Sequence, residues 1–159
     1  MVGITLTSER DTFKLSEPIN FLVTVKNISK KTLYVPKDIS LSSNLLPNGI
    51  TDSYTGGIIE FSIGPISQFS KIFIENIAAI PPHEFVKLQP NSTIDFNIEI
   101  DNHLRYFNEN IDDNDLKIQI DKSYELYITY TNTWKKKGFE SKTYIGHNES
   151  NMISFFIQN

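Results

Sequence analysis

The chain contains no cysteine. That absence excludes disulfide frameworks, thiolate nucleophiles, zinc–thiolate sites and iron–sulfur clusters, all of which need the residue. Long apolar runs are also missing. No segment approaches the roughly 18–20 continuous apolar residues a membrane span requires, so membrane insertion is not expected. Met1 to Arg10 lacks the charged start and apolar stretch of a signal peptide. As it stands the chain reads as cytoplasmic; had a signal or anchor been removed, it would read as periplasmic or surface-bound. A basic excess is lacking too: 15 Lys and Arg face 19 Asp and Glu, for a formal net charge of -4. A general nucleic-acid binder needs a basic face, so nucleic acid is not an expected partner. No Gly-x-Ser-x-Gly elbow, phosphate-cradling glycine loop or dinucleotide fingerprint occurs, and no cofactor is expected.

What the sequence does have is alternation. Ile94, Phe96, Ile98 and Ile100 are separated by Asp95, Asn97 and Glu99. Successive side chains of a strand point to opposite faces, so this segment has one apolar and one wet face, and no helix could gather those four residues on one stripe. Ile19, Phe21, Val23 and Val25 repeat the pattern, as do Tyr124, Leu126, Ile128 and Tyr130, and then Ile153, Phe155 and Ile157. With weaker segments added, about eight or nine strands emerge between turn-rich stretches such as Gln89-Pro90-Asn91-Ser92. The expectation is a single all-β domain over residues 1–159, an antiparallel sandwich or barrel. A chain of this length can bury a core without disulfides or a structural metal. One segment departs from period two: Leu104, Tyr106, Phe107 and Ile111 behind Asp101 or Asn102 predict a short helix near 102–110. The polar stretch from Pro36 to Gly57 reads as a long loop.

Chemical sites are sparse. His83, His103 and His147 lack the close spacing of metal ligands, and solvated loop histidines are the default reading. Asp112-Asp113-Asn114-Asp115 offers oxygen ligands of the kind calcium takes. It has neither the central glycine nor the distant glutamate of an EF-hand loop, so a solvated acidic loop is expected and no metal site is assigned. Asp95 and Glu99 share a wet face but stand about 13 Å apart along the strand, too far for either paired-carboxylate geometry of glycoside hydrolysis. No catalytic residue is assigned, and the chain is not expected to be an enzyme. The sequons at Asn27, Asn91 and Asn148 are read as accidental in a chain rich in asparagine, serine and threonine.

The segment that invites a functional reading is Tyr130-Thr131-Asn132-Thr133-Trp134-Lys135-Lys136-Lys137-Gly138-Phe139. It follows a strong strand and predicts a loop at one end of the domain. Trp134 and Phe139 flank Lys135, Lys136 and Lys137. Aromatic side chains offer large contact area at low entropic cost, and a basic cluster on an acidic protein steers an acidic partner. These five residues are the expected partner-binding site. In the competing reading Trp134 folds back on the sheet and the lysines protect an exposed edge from aggregation.

Three stretches carry a resemblance. Glu17-Pro18-Ile19-Asn20-Phe21-Leu22-Val23-Thr24-Val25-Lys26-Asn27-Ile28-Ser29, followed by Leu33-Tyr34-Val35, resembles the early strand pair of bacterial immunoglobulin-like domains. Phe85 to Ser92 and Asp121 to Tyr127 are similar to the turns that lead into middle and late strands of those domains. The paired cysteines and core tryptophan of antibody domains are not present. The resemblance implies an immunoglobulin-like β-sandwich and extends to bacterial intracellular proteinase inhibitors, sandwiches of similar size. On function the resemblance says little; the lack of catalytic motifs and the aromatic and basic loop make the expectation a non-catalytic module that binds another protein through its end loops: an inhibitor, an immunity-type protein or an adaptor. The alternatives are an extracytoplasmic accessory or adhesion domain of a bacterial surface protein, and a carbohydrate-binding sandwich. No motif identifies the partner or sets the oligomeric state.

Overall fold

The computed structural model describes residues 1–14, 16–43, 53–55, 57–64, 78–100 and 119–159. Among them thirteen strands occur: β1 (Val2–Thr7), β2 (Thr12–Lys14), β3 (Asn20–Asn27), β4 (Leu33–Pro36), β5 (Ile39–Ser43), β6 (Ser53–Thr55), β7 (Gly57–Gly64), β8 (Ala78–Ile80), β9 (Phe85–Leu88), β10 (Thr93–Glu99), β11 (Lys122–Asn132), β12 (Gly146–Glu149) and β13 (Ile153–Gln158). The chain is all-β, as the alternation predicts. The helix expected near 102–110 and the acidic run at Asp112–Asp115 lie outside the described residues.

Two sheets face each other. The smaller has the order β1-β3-β10 with both pairings antiparallel. The larger runs β2-β13-β11-β7-β5, with β12 also paired to β11. Its inner pairings, β11 with β7, β12 and β13, are antiparallel. The outer strands β2 and β5 join in parallel, a departure from the purely antiparallel expectation. Two-stranded ribbons, β4-β9 and β6-β8, complete the described sheets.

Between the two sheets lies one core. Phe21, Val23 and Val25 of β3 and Phe96 and Ile98 of β10 are buried on one side, with Tyr124, Leu126, Ile128 and Tyr130 of β11 and Phe155 and Ile157 of β13 on the other. The inward sets are those the alternation picks out. Rings meet across the gap: Phe21 lies 5.7 Å from Phe155, and Phe96 lies 6.5 Å from Tyr130. Each buried side chain of this size contributes roughly 1.5–3 kcal/mol of transfer free energy before chain entropy is counted.

The strand count exceeds the sequence expectation for a physical reason. β6 and β8 hold three residues each, too few for period two to register. The stretch from Pro36 to Gly57, read as a loop, contains β5 and β6. Serine-rich β5 carries little apolar alternation and is specified by its backbone pairing to β7.

Polar groups close the ends of this core. The hydroxyl of Tyr124 accepts a hydrogen bond from the Gln119 N–H at 2.7 Å and faces the Gln119 carbonyl at 3.3 Å, tying the start of β11 to the chain before it. Asn91 (φ 65°) and Asp121 (φ 58°) take the left-handed conformation that tight turns require, which Asn and Asp tolerate best among residues with a side chain. The edge strand β1 is sealed by side-chain amides. Asn151 Nδ2 donates to the Leu6 carbonyl while Asn151 Oδ1 accepts from the Leu6 N–H, and Asn148 Nδ2 donates to the Val2 carbonyl. Backbone groups on a sheet edge otherwise invite pairing with another chain.

Candidate functional site

The partner-binding residues expected from the sequence fall in the segment 133–145, between the end of β11 and the start of β12. Its first fixed point is Asn132, buried at the end of β11. The Asn132 Oδ1 accepts from the Trp134 N–H at 3.0 Å, and its Nδ2 donates to the Trp134 carbonyl at 3.0 Å and the Tyr144 carbonyl at 2.6 Å. One side chain therefore grips both ends of the loop.

Thr143 holds the middle. Its hydroxyl accepts from the Lys136 N–H at 3.0 Å and donates to the Phe139 carbonyl at 2.9 Å. The chain reverses at Gly138 (φ 79°), a conformation natural to glycine, where the Gly138 N–H donates to the Glu140 carboxylate at 2.8 Å. Hydrogen bonds from the backbone N–H groups of Glu140 and Gly138 hold the Glu140 carboxyl below its ordinary value, with Lys135 and Lys137 adding to the effect. A short 3₁₀ turn, Glu140–Lys142, follows. The loop then docks on β4, where the Tyr144 N–H donates to the Tyr34 carbonyl at 2.9 Å.

That docking site is the outer face of the β4-β9 ribbon. In its register Tyr34 lies opposite Lys87 and Pro36 opposite Phe85, so Tyr34 and Phe85 are diagonal neighbours on one face. Val35 and Val86 point to the core from the other face. Phe139 packs on Tyr34 with ring centroids 4.7 Å apart. The Lys136 ammonium lies 5.2 Å from the Tyr34 centroid, 5.7 Å from Phe85 and 5.8 Å from Phe139. These distances are within the range of cation–π attraction.

The five residues therefore separate into roles. Lys136 and Phe139 are brought together, over two rings that sequence reading assigned no function. Lys135 and Lys137 are exposed, Phe139 keeps 40% of its surface exposed, and Trp134 is half-buried with its backbone pinned by Asn132. Tyr34 and Phe85 precede the lysines by far in the chain, and no local spacing links them. The only available signal was an aromatic residue at an outward position of each short strand.

Other polar groups are dispersed. His83 Nδ1 lies 3.3 Å from Asp38 Oδ2 on the exposed surface, and His147 is on β12 opposite Thr131. His103 lies outside the described residues. Among the described residues no group of three His, Asp or Glu is placed to hold a metal ion, and no helix is long and apolar enough to cross a membrane. Asp95 accepts a 2.7 Å hydrogen bond from the Thr24 hydroxyl on the wet face. Of the sequons, Asn27 is buried with its Nδ2 donating to the Lys31 and Leu88 carbonyls, and Asn148 donates to Val2. An open groove of about 740 Å³ lies at the sheet end beside Glu9, Arg10, Phe13, Asn20 and Asn97.

No family model matches the chain, and no curated protein does. Among solved structures, a β-glucosidase from Listeria innocua is similar over 100% of this chain at 13% identity and a TM-score of 0.45. The same enzyme in complex with isofagomine is similar over 100% at 12% identity and a TM-score of 0.43. The chain spans 16% of the length of either glucosidase chain.

Proposed function

We propose that this chain is an immunoglobulin-like sandwich that acts as a non-catalytic protein-binding module, an inhibitor, immunity-type protein or adaptor, through the loop 133–145. The observation that carries the reading is the loop's fixed shape: Asn132 and Thr143 hold it while Lys135, Lys137 and Phe139 stay accessible. A loop ordered before contact loses less entropy on binding, so more of its contact energy appears as affinity. Its cations, on a chain of net charge -4, favour a partner with an acidic surface.

Two features support the immunoglobulin-like part. The strand order β1-β3-β10 against β13-β11-β7 corresponds to the A-B-E and G-F-C arrangement of such sandwiches. The Tyr124 hydroxyl bound to the backbone five residues upstream, at the start of the β11 strand, has the geometry of a tyrosine corner. On this reading the loop 133–145, with β12 after it, belongs to the connection from β11 to β13, the F and G strands, where binding sandwiches carry contact residues.

The test is comparative capture. Immobilised wild type and a Lys135→Ala/Lys137→Ala/Trp134→Ala variant are exposed to the same native lysate, and any retained protein is purified and its affinity measured against both. The expected result is a partner whose affinity falls at least about tenfold in the variant and weakens with added salt. The two lysine substitutions alone should leave stability within about 0.5 kcal/mol. A partner bound equally well by both proteins would remove the loop from the interface.

A further inference from the structure

Three aromatic rings converge on one ammonium. Tyr34 and Phe85 are half-buried and Phe139 is exposed, so the cluster opens to solvent, and its centroids stand 5.2, 5.7 and 5.8 Å from Lys136 Nζ. Among the described residues no carboxylate is within salt-bridge distance of that nitrogen. The three rings attract the charge through the negative faces of their quadrupoles. The neighbours Lys135 and Lys137 remain exposed. The contact joins three distant parts of the chain: strand β4, strand β9 and the loop.

We propose that Tyr34, Phe85 and Phe139 form an alkylammonium-binding cage whose resident ligand is Lys136, and that the charge on this nitrogen latches the loop 133–145 onto the β4-β9 ribbon. The latch regulates the site assigned above and rests on that reading only for its biological use; its physical test needs no partner. Any change that removes the charge of Lys136 while leaving its length loosens the docking of the loop on the ribbon, while Asn132 and Thr143 keep their hold on its ends. Any change that keeps the charge, including N-methylation, keeps the loop closed.

Charge and bulk are separated by two substitutions. Lys136→Met keeps most of the alkyl stem and removes the cation; Lys136→Arg keeps a cation that stacks well on aromatic faces. Hydrogen exchange of the 133–145 amides is expected to speed up roughly tenfold in Lys136→Met and to stay near wild type in Lys136→Arg. Trp134, the only tryptophan, reports the same opening by fluorescence. Equal protection in Lys136→Met and wild type would overturn the latch. So would Lys136→Arg behaving like Lys136→Met, because packing rather than charge would then hold the loop.

A second measurement avoids reliance on the fold of a variant. Reductive methylation of wild-type lysines with ¹³C-formaldehyde keeps their charge, and the methyl signals of Lys136 should be displaced upfield by ring currents from the three aromatics. The displaced signals should move toward the common lysine position in Phe85→Leu, where two of the three rings remain. Uniform lysine methyl signals in the wild type would overturn the cage itself. Neither readout involves a binding partner, so failure of the cage and failure of the partner-binding reading are told apart.

Discussion

The central strand of each sheet ends on a buried asparagine, and the two ends differ in what they hold. At the end of β3, Asn27 Oδ1 accepts from the Ser29 N–H and hydroxyl, while its Nδ2 donates to the Lys31 and Leu88 carbonyls. This closes a tight turn into β4 and fastens it to β9. At the end of β11, Asn132 makes the same kind of bonds but reaches Trp134 and Tyr144, spanning an excursion to β12. The chemistry is shared: a buried amide takes up backbone groups beyond the point where the ladder bonds stop. Only the intervening chain differs. Between Asn27 and β4 the residues serve the turn, whereas between Asn132 and β12 they present cations and rings. The same structural device supports a mere connection in one place and a candidate binding surface in the other.

The comparison presumes that both asparagines are anchored to one core, and the harshest way to break it is through that core. Phe96→Asp buries a carboxylate against Tyr130 and should prevent folding. A soluble variant with unchanged melting temperature would show that the sheets do not pack as described. Next in size are the two asparagines themselves. Asn27→Ala and Asn132→Ala each strand one buried carbonyl and further part-buried backbone groups and should cost about 2–3 kcal/mol in urea unfolding. Hydrogen exchange then sharpens the contrast. Asn132→Ala should loosen 133–145 and leave the β3-β4 turn protected, and Asn27→Ala should do the reverse. Equal loosening of both regions by either change would mean the ends are not independent.

The smallest effect should have the opposite sign. The Tyr130 hydroxyl is buried without a hydrogen-bond partner among the described residues. Tyr130→Phe removes a desolvated group that gains nothing, so stability should be unchanged or rise by about 1 kcal/mol. Burial raises the hydroxyl pKa of Tyr130, with Tyr144 beside it adding to the effect. Burial likewise raises Tyr144 and Tyr124. Below about pH 10 these hydroxyls keep their protons in folded and unfolded chains alike, and their contribution is intact. As pH rises further the unfolded chain ionises first, so stability falls. Unfolding curves on either side of pH 10 should show that loss, and Tyr130→Phe should make it shallower.

How much of this was legible in the sequence depends on the distance over which each feature is specified. The buried faces of β3, β10, β11 and β13 were readable because alternation is local and repeats over several residues. The same holds for the turn at Pro90-Asn91, where a left-handed residue is needed. β5 was not legible, since its alternation is limited to Ile39 and Leu41 among serines, too short to stand out of a polar stretch, and it is its pairing with β7 that defines it. The candidate loop was visible as a basic and aromatic segment, but the separation of its lysines was not. Lys136 differs from Lys135 and Lys137 only because Tyr34 and Phe85 arrive beside it from another part of the chain.

The sequence by itself determined the all-β class, the inward faces of the strongest strands and the absence of thiol chemistry, because side-chain period and composition act through nearest neighbours. The tertiary structure decided which strands pair at the edges, where Asn27 and Asn132 find their partners, and which lysine of the three turns toward the rings. Those outcomes depend on contacts between residues far apart in the chain, and only the closing of the two sheets around one core brings them within bonding distance.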